Sequence, residues 1–185
     1  MQNIRIIAEG AQLALTIERL CHELIENHGN FSNSCIVGVQ TRGAAFAERL
    51  HATLLGVLPQ DSTVLLGKID PTLYRDDFRM REAPLQAFPT EMPFLIDKKR
   101  VILVDDVLYT GRTTRAALDA LNDFGRPEQV ELLCLADRRF NRSLPIRPDY
   151  VGITVDALKE AYLRAEWSDD AKTDRLLFYE RKLGN

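Results

Sequence analysis

Two adjacent carboxylates, Asp105 and Asp106, follow four apolar residues in the segment VILVDDVLYTGRTT, residues 101–114. The apolar run predicts a buried strand, and the residues after the acids predict a loop leading into a helix. Ionised carboxylates only accept hydrogen bonds, which suits two neighbouring hydroxyls of a ribose. The start of a helix offers free backbone N–H groups and a favourable dipole to an anion. The segment therefore predicts a site for a sugar phosphate.

The loop after the acids carries the phosphate half of this prediction. Its hydroxyls can donate hydrogen bonds, and its glycine allows the backbone to approach a ligand closely. The predicted phosphate-binding residues are Thr110, Gly111, Arg112, Thr113 and Thr114. A simpler interpretation is that Asp106 caps a turn and the threonines cap a helix. Capping explains one acid at the end of an apolar strand but not two, which favours the binding site.

Two other polar segments directly follow apolar runs, namely QTRG at 40–43 and ADRR at 136–139. Apolar strands alternate with helical patterns along the chain, which predicts an α/β fold with a doubly wound, mostly parallel sheet. Ligands of such sheets bind beyond the carboxyl ends of the strands. We therefore expect all three polar segments to meet at one edge of the sheet.

The QTRG segment and the stretch IDPTLYRDDF, residues 69–78, have candidate roles at that edge. Arg42, between Thr41 and Gly43, offers a fork of donors that suits a diphosphate. Arg75 is the predicted charge contact of a lid that excludes water and makes few buried contacts without ligand. The alternatives are a helix cap with a surface arginine at Thr41 and Arg42, and a solvated hairpin at 69–78.

The bulk composition limits the class of protein. A chain of 185 residues suits a single domain, residues 1–185, and its net charge of −3 gives no overall basic field for nucleic acid. Three cysteines without a CxxC pair indicate buried thiols in a reducing compartment. The N-terminal residues lack an apolar signal core, so we expect a cytoplasmic protein without a membrane partner.

The segment VILVDDVLYTGRT resembles the phosphoribosyl-pyrophosphate motif of the type I phosphoribosyltransferases. The resemblance implies that Asp105 and Asp106 hold the ribose 2- and 3-hydroxyls, and that residues 110–114 hold the 5-phosphate. Thr41, Arg42 and Gly43 then correspond to the pyrophosphate loop, and residues 69–78 to the catalytic loop with Arg75. The predicted catalytic residues are Asp105, Asp106 and Arg75. A small hood, with Asp137 and Arg138, is expected over the base.

Further segments resemble, in order and spacing, the family members that regulate pyrimidine operons and act as uracil phosphoribosyltransferases. These segments are HELIE, IDPTLYRDD, FGRPEQVEL and LPIRPDYVG. The resemblance implies transfer of ribose 5-phosphate from phosphoribosyl pyrophosphate to uracil, giving UMP and pyrophosphate. It also implies Mg²⁺, held mainly through substrate oxygens instead of a protein metal cage, and a homodimer or higher oligomer.

A UMP-sensing attenuator that binds leader RNA is the alternative function, and the two functions can coexist. The resemblance implies an RNA face that includes Arg19, His22, Arg142 and Arg147. Glu18 stands where the family has threonine, and Ile153 where it usually has lysine, so we expect weak RNA binding. A third alternative is another nucleobase, because DRRFNR at 137–142 and residues 154–168, in the expected hood, depart from the family pattern.

Overall fold

A computed structural model describes residues 3–76, 87–157 and 161–180. The strands are β1 (Asn3–Glu9), β2 (Ser34–Val39), β3 (Leu65–Ile69), β4 (Arg100–Leu108), β5 (Gln129–Arg139), β6 (Tyr150–Asp156), β7 (Tyr162–Glu166) and β8 (Arg175–Glu180). The helices are α1 (Gly10–His28), α2 (Arg42–Val57) and α3 (Arg112–Leu121). Short 3₁₀ helices span Thr72–Tyr74, Asn122–Phe124 and Ala171–Thr173.

Five strands form a parallel sheet in the order β3-β2-β4-β5-β6. Successive residues along its central strands point to opposite faces, and both faces are buried. Ile36, Ile102 and Leu133 pack on the face covered by α1 and α2. Their neighbours Val37 and Leu103 pack on the face covered by α3. The predicted doubly wound sheet is therefore confirmed, and the double burial explains why its strands are continuous apolar runs.

The first helix follows from its sequence pattern. The buried residues of α1 recur at helical spacing and include Leu13, Ile17, Leu20 and Leu24. The helix ends at Gly29, whose positive φ of 58° suits a glycine and whose N–H donates to the Ile25 carbonyl at 2.8 Å.

A smaller antiparallel sheet, in the order β1-β8-β7, joins the two ends of the described chain. Its inner residues, including Leu163, Ala165, Leu176 and Phe178, belong to the same core as the face under α1 and α2. The apolar segments IRII, residues 4–7, and LLFYER, residues 176–181, predict strands at β1 and β8 but not their pairing, and the sequence pattern missed β7. β7 lies in the variant stretch 154–168, where the hood is expected; the role of this sheet over the base stays a prediction. A core shared by both sheets fits the single-domain assignment, which stays a prediction.

Cys21, Cys35 and Cys134 are buried free thiols, as the sequence predicted. Burial raises the pKa of Cys21 to about 12 and that of Cys35 to about 11, which keeps both thiols protonated and unreactive. Within the described ranges, the helices are too short or too polar to cross a bilayer.

Candidate active site

The polar ends of β2 and β4 and the start of α3 open onto one cavity of about 380 Å³. It is lined by Gln40, Thr41, Arg42, Gly43, Arg75, Asp105, Asp106, Val107, Tyr109, Thr113, Arg138, Tyr162 and Leu163. Eight residues of the predicted site are among them, contributed by four segments that lie apart in the chain. The expected meeting of QTRG, DDVLYTGRTT and ADRR at one sheet edge is therefore found.

The acid pair lies on the floor of this cavity. Asp105 and Asp106 are each only 7% exposed, because β4 is the central strand of the parallel sheet. The Asp106 N–H donates to Oδ1 of Asp105 at 3.0 Å, and Nε of Arg42 donates to Oδ2 of Asp106 at 3.0 Å. Gly43 permits this arrangement, because a Cβ there would lie 2.8 Å from the Val104 carbonyl oxygen.

The two acids do not share one environment. Burial, followed by the charge of Asp106, raises the pKa of Asp105 to about 8, although the Asp106 N–H and Arg42 oppose the shift. The raised pKa favours the protonated form of Asp105 in the ligand-free protein. The sequence predicted two ionised acceptors, and burial beside the charge of Asp106 is the reason that Asp105 departs from this expectation.

The loop after the acids has the geometry of an anion site. Gly111 has a φ of 87°, and α3 begins at the next residue. The first helical hydrogen bond runs from the Arg115 N–H to the Gly111 carbonyl at 2.9 Å, so the N–H groups of residues 112–114 precede the helical ladder. Thr114 is 2% exposed, and its hydroxyl has no partner within the described parts of the chain. A phosphate is the type of acceptor that these donors suit.

The described part of the predicted lid packs on α3. Arg75 reaches the cavity, where its Nη1 donates to Oγ1 of Thr113 at 2.9 Å. Arg112 pairs with Asp76, and Nη2 of Arg115 donates to the Tyr74 carbonyl at 3.1 Å. Residues 70–76 thus make more contacts than the expected lid, because their polar groups reach α3. Residues 77 and 78, the end of the predicted lid, lie outside the described residues, so the lid role of that part stays a prediction.

The two predicted hood residues point to different surroundings. Arg138 lines the cavity, is 3% exposed, and places its guanidinium 3.9 Å from the ring centroid of Tyr109. Asp137 instead pairs with Arg142. The geometry therefore favours Arg138 over Asp137 as a contact of the base.

Five cavity residues were not in the predicted site, namely Gln40, Val107, Tyr109, Tyr162 and Leu163. Tyr109 lies inside the phosphoribosyl-pyrophosphate motif, between the acids and the threonines, and its position was a usable signal. Tyr162 and Leu163 lie on β7, the strand that the sequence pattern did not reveal.

The residues of the predicted RNA face are differently placed. Nη2 of Arg19 donates to the Val151 and Gly152 carbonyls at 2.9 and 2.8 Å, and its Nη1 pairs with Glu23. Arg142 donates to the Leu108 and Arg138 carbonyls, both at 3.1 Å, as well as pairing with Asp137. These contacts favour a structural role for both arginines.

His22 and Arg147 are exposed, and so is Glu18. Ile153, which replaces a lysine of the family pattern, is partly buried against the core. The roles of all these residues in RNA binding stay predictions.

Comparison with known proteins identifies the family. Residues 4–167 match the phosphoribosyl transferase domain. The chain belongs to the phosphoribosyltransferase family. It is 38% identical to the bifunctional protein PyrR of Bacillus cereus (strain AH820) over 183 residues, which are 98% of this chain and 100% of the relative. PyrR of Bacillus mycoides (strain KBAB4) matches with the same identity and coverage. The resemblance to the bifunctional regulators is therefore confirmed over nearly the whole chain.

Solved structures support the fold. The chain is similar to the hypoxanthine phosphoribosyltransferase of Trypanosoma cruzi, with a TM-score of 0.68 and 14% identity over 93% of this chain and 95% of that one. It is also similar to a hypoxanthine-guanine phosphoribosyltransferase of Bacillus anthracis, with a TM-score of 0.68 and 17% identity over 92% and 96% of the two chains. With the family match, the predicted phosphoribosyltransferase activity is confirmed.

Proposed function

We propose that this phosphoribosyltransferase transfers ribose 5-phosphate from phosphoribosyl pyrophosphate to uracil, giving UMP and pyrophosphate. The supporting observation is that the acid pair shares one cavity with two groups of anion-binding donors. Thr41–Gly43 form one group, in which Arg42 contacts Asp106, and Arg75 and Thr113, which contact each other, form the second. Two such groups suit a ribose that carries a diphosphate at C1 and a phosphate at C5. Uracil as the acceptor rests on the resemblance of the motifs to the uracil-using regulators.

The cavity can perform the transfer by positioning and electrostatics. The bond from C1 to the pyrophosphate oxygen breaks, the bond from C1 to N1 of uracil forms, and the N1 proton is released. Positive charge develops on the sugar during this exchange. The acid pair, which holds the 2- and 3-hydroxyls, stabilises that charge from a water-poor site, where electrostatic interactions are strong. Arg42 and the backbone of Thr41–Gly43 stabilise the negative charge that develops on the leaving pyrophosphate.

The base is held by the side of the cavity formed by β5 and β7. Arg138 can donate to a carbonyl oxygen of uracil, and its stacking on Tyr109 fixes its guanidinium. Tyr162 lines the same cavity and stacks on Tyr179, with ring centroids 4.4 Å apart. A planar base fits between such groups, because aromatic and guanidinium faces both stack on it.

Mg²⁺ fits the donor set of this site. Within the described residues there is no group of three or more His, Cys, Asp and Glu side chains arranged for a metal. The cavity offers the carboxylates of Asp105 and Asp106, and Mg²⁺ is often held by one or two carboxylates together with substrate oxygens and water. When bound, Mg²⁺ supplies positive charge that balances the diphosphate. Its presence would also favour the ionised form of Asp105.

We further propose that the enzyme works in the cytoplasm as a homodimer or larger homo-oligomer. The three buried free thiols support a reducing compartment. The oligomer rests on the family resemblance, and light scattering of the purified protein measures it directly.

The proposed reaction is tested with purified protein, phosphoribosyl pyrophosphate and Mg²⁺. Uracil, hypoxanthine and guanine are supplied separately, and nucleotide formation is followed. We expect UMP from uracil and little product from either purine. Faster reaction with a purine would refute uracil as the acceptor and support the third alternative, another nucleobase. The two purines are included because the solved neighbours named above are phosphoribosyltransferases of hypoxanthine or of hypoxanthine and guanine.

RNA binding is the second candidate function, because the relatives that match over nearly the whole chain are named bifunctional PyrR proteins. We expect this chain to bind leader RNA weakly. Arg19 and Arg142 are engaged with backbone carbonyls, and the exposed Glu18 adds negative charge to the predicted face. Each lost phosphate contact lowers the salt slope by about 0.7–0.9.

Filter binding at about 150 mM salt, with UMP present, measures the affinity for a pyrimidine-leader hairpin and tests this expectation. A scrambled hairpin of equal length serves as the control. Nanomolar, sequence-selective binding would show that the attenuator function is retained in full.

A further inference from the structure

A second cavity, of about 610 Å³, adjoins the candidate active site. Thr41 and Arg42 line both cavities, so a ligand of one is next to the other. The opposite wall comes from β7 and β8 and includes Arg164, Glu166 and Arg175. The mechanism described above uses none of these three residues.

The charges of this wall are arranged around one carboxylate. Nε of Arg164 lies 3.8 Å from Oε1 of Glu166, and Nη2 of Arg175 lies 3.3 Å from Oε2. The arginine side chains are 51% and 46% exposed, and Glu166 is 32% exposed. Two guanidinium groups therefore share one acid, and the wall carries one net positive charge that faces accessible space.

The wall is held firmly in the fold. Glu166 and Arg175 are directly paired across the antiparallel strands β7 and β8. The next residue, Trp167, stacks on Phe46 of α2, with centroids 5.5 Å apart and ring planes 7° from parallel. Its indole Nε1 is buried without a hydrogen-bond partner among the residues that the structure describes. The position of the two arginines relative to Arg42 is thus set by packing on α2.

We propose that this cavity is an outer anion subsite for the diphosphate group, with Arg164 and Arg175 as positioning residues. The inference rests on the proposed function for the identity of the ligand, which is the diphosphate of the donor or the pyrophosphate released from it. Arg42 contacts the inner part of the group, and the β7–β8 wall attracts its outer phosphate. Glu166 competes with that phosphate for the same two guanidinium groups.

This competition gives opposite expectations for two neighbouring substitutions. Arg164→Gln removes an attraction, and Glu166→Gln removes the internal competitor. For half-exposed charges, we expect inorganic pyrophosphate to bind about three- to fivefold more weakly to Arg164→Gln and more tightly to Glu166→Gln by a similar factor. A purely structural role of the pair predicts no gain of affinity in either variant.

Calorimetric titration of the full-length protein with inorganic pyrophosphate is the direct measurement. Arg139→Gln is the matched control, because Arg139 is also 51% exposed, also pairs with one acid, Asp156, and lies outside both cavities. Thermal unfolding of each variant monitors the fold. Unchanged affinity in Arg164→Gln, or weaker binding in Glu166→Gln, overturns the proposal. A difference between variants that shrinks at high salt supports it.

Kinetics separate the two sources of the ligand. A higher KM for phosphoribosyl pyrophosphate in Arg164→Gln shows that the donor already reaches the subsite. Weaker inhibition by pyrophosphate with an unchanged KM assigns the subsite to the released product. Either result supports the proposed subsite. If pyrophosphate affinity follows Arg164 and Glu166 but no UMP forms, uracil transfer is refuted and the subsite stands. If UMP forms and the affinities do not change, only the subsite is refuted.

Discussion

The central sheet buries carboxylates at both of its ends, and their surroundings differ. At the end where the strands begin, Glu131 accepts hydrogen bonds from Nη2 of Arg100 at 2.6 Å and from the Tyr150 hydroxyl at 2.8 Å. His28 lies 2.9 Å away through its Nε2. At the opposite end, the carboxyl of Asp105 accepts from the Asp106 N–H, and that of Asp106 accepts from Arg42.

The protonation of these groups follows from their partners. Burial would raise the pKa of Glu131, but the hydrogen bonds from Arg100 and Tyr150 outweigh it, and the net pKa is lowered. Burial lowers the pKa of His28 despite the opposing effect of Glu131, so the imidazole is neutral and its contact is a hydrogen bond. The pKa of Asp105 is instead raised to about 8 by burial and by Asp106.

The difference separates a structural acid from a binding one. A buried charge with several donors is stabilised within the protein, whereas a buried acid with few donors is costly until a ligand supplies them. We therefore expect Glu131 to stabilise the fold and the Asp105–Asp106 pair to bind substrate. Substitution of Glu131 should therefore lower stability and spare activity, whereas substitution of Asp105 or Asp106 should lower activity and spare the fold.

The largest expected effect is on stability, in Glu131→Gln. The change leaves the cation of Arg100 without its acid partner, and removal of one member of a buried pair costs about 3 kcal/mol or more. Chemical denaturation at pH 7 measures the loss of unfolding free energy, and turnover per folded molecule should be unchanged. A variant of normal stability, or one that is folded but inactive, would remove the distinction between the two ends.

Asp105→Asn and Asp106→Asn should have their main effect on turnover. Each loses an acceptor for a ribose hydroxyl or for substrate-bound Mg²⁺, and a hydrogen bond to a charged group contributes about 1.5–3 kcal/mol. We expect about 10- to 100-fold slower formation of UMP in each variant, with the fold retained. Initial rates at saturating substrates measure the effect, and rates within twofold of the wild type in both variants would contradict the ribose assignment.

The third prediction concerns the pH dependence of stability at the active-site end. Because folding raises the pKa of Asp105 from near 4 to about 8, the folded protein binds this proton more tightly than the unfolded chain. Wild-type stability should therefore fall as pH rises from about 4 to 8. Asparagine does not titrate, so the stability of Asp105→Asn relative to wild type should increase steadily between pH 5 and pH 8, by at most about 1.4 kcal/mol per pH unit.

Thermal unfolding of both proteins at several pH values across this window measures that gain. Asp106→Asn is the informative companion, because removal of the neighbouring charge should reduce the pH dependence. A constant difference between wild type and Asp105→Asn across the window would show that Asp105 is not protonated in the fold.

The sequence predicted the parts of the site that local patterns determine. An apolar run ending in polar residues identifies a strand of a parallel sheet and the edge where ligands of such sheets bind. This is why the sequence placed Arg42, the acid pair and Thr113 together, as the cavity does, while their roles stay predictions. The small sheet was harder to predict, because β1 and β8 pair across almost the whole chain. Such a pairing has no local signature, and β7 has only five residues. Tyr162 was missed with it.

The protonation state of Asp105 also could not be predicted from the sequence. The pKa of Asp105 depends on how completely the surrounding elements exclude water, and the sequence pattern shows only that β4 is apolar. Likewise, the sequence alone indicates a basic surface residue at Arg142. Its guanidinium instead donates to carbonyls of β4, β5 and the loop after β4. Charge counts from a sequence do not reveal which cations are used inside the fold.

The smallest expected effect compares two arginines that bind acids at the two ends of the sheet. Arg42, with a side chain 50% exposed, pairs with Asp106, and Arg100, with a side chain 29% exposed, pairs with Glu131. Arg42→Lys keeps the charge but loses the planar fork that suits a diphosphate. We expect the KM for phosphoribosyl pyrophosphate to rise about threefold, the usual effect of weakening one half-exposed charge contact. The KM for uracil should change less.

Arg100→Lys is the control and should lower the unfolding free energy without changing either KM. Steady-state kinetics with each substrate varied in turn test both variants. An equal rise of the two KM values in Arg42→Lys, or none, would contradict a contact between Arg42 and the diphosphate and leave Arg42 only its pairing with Asp106.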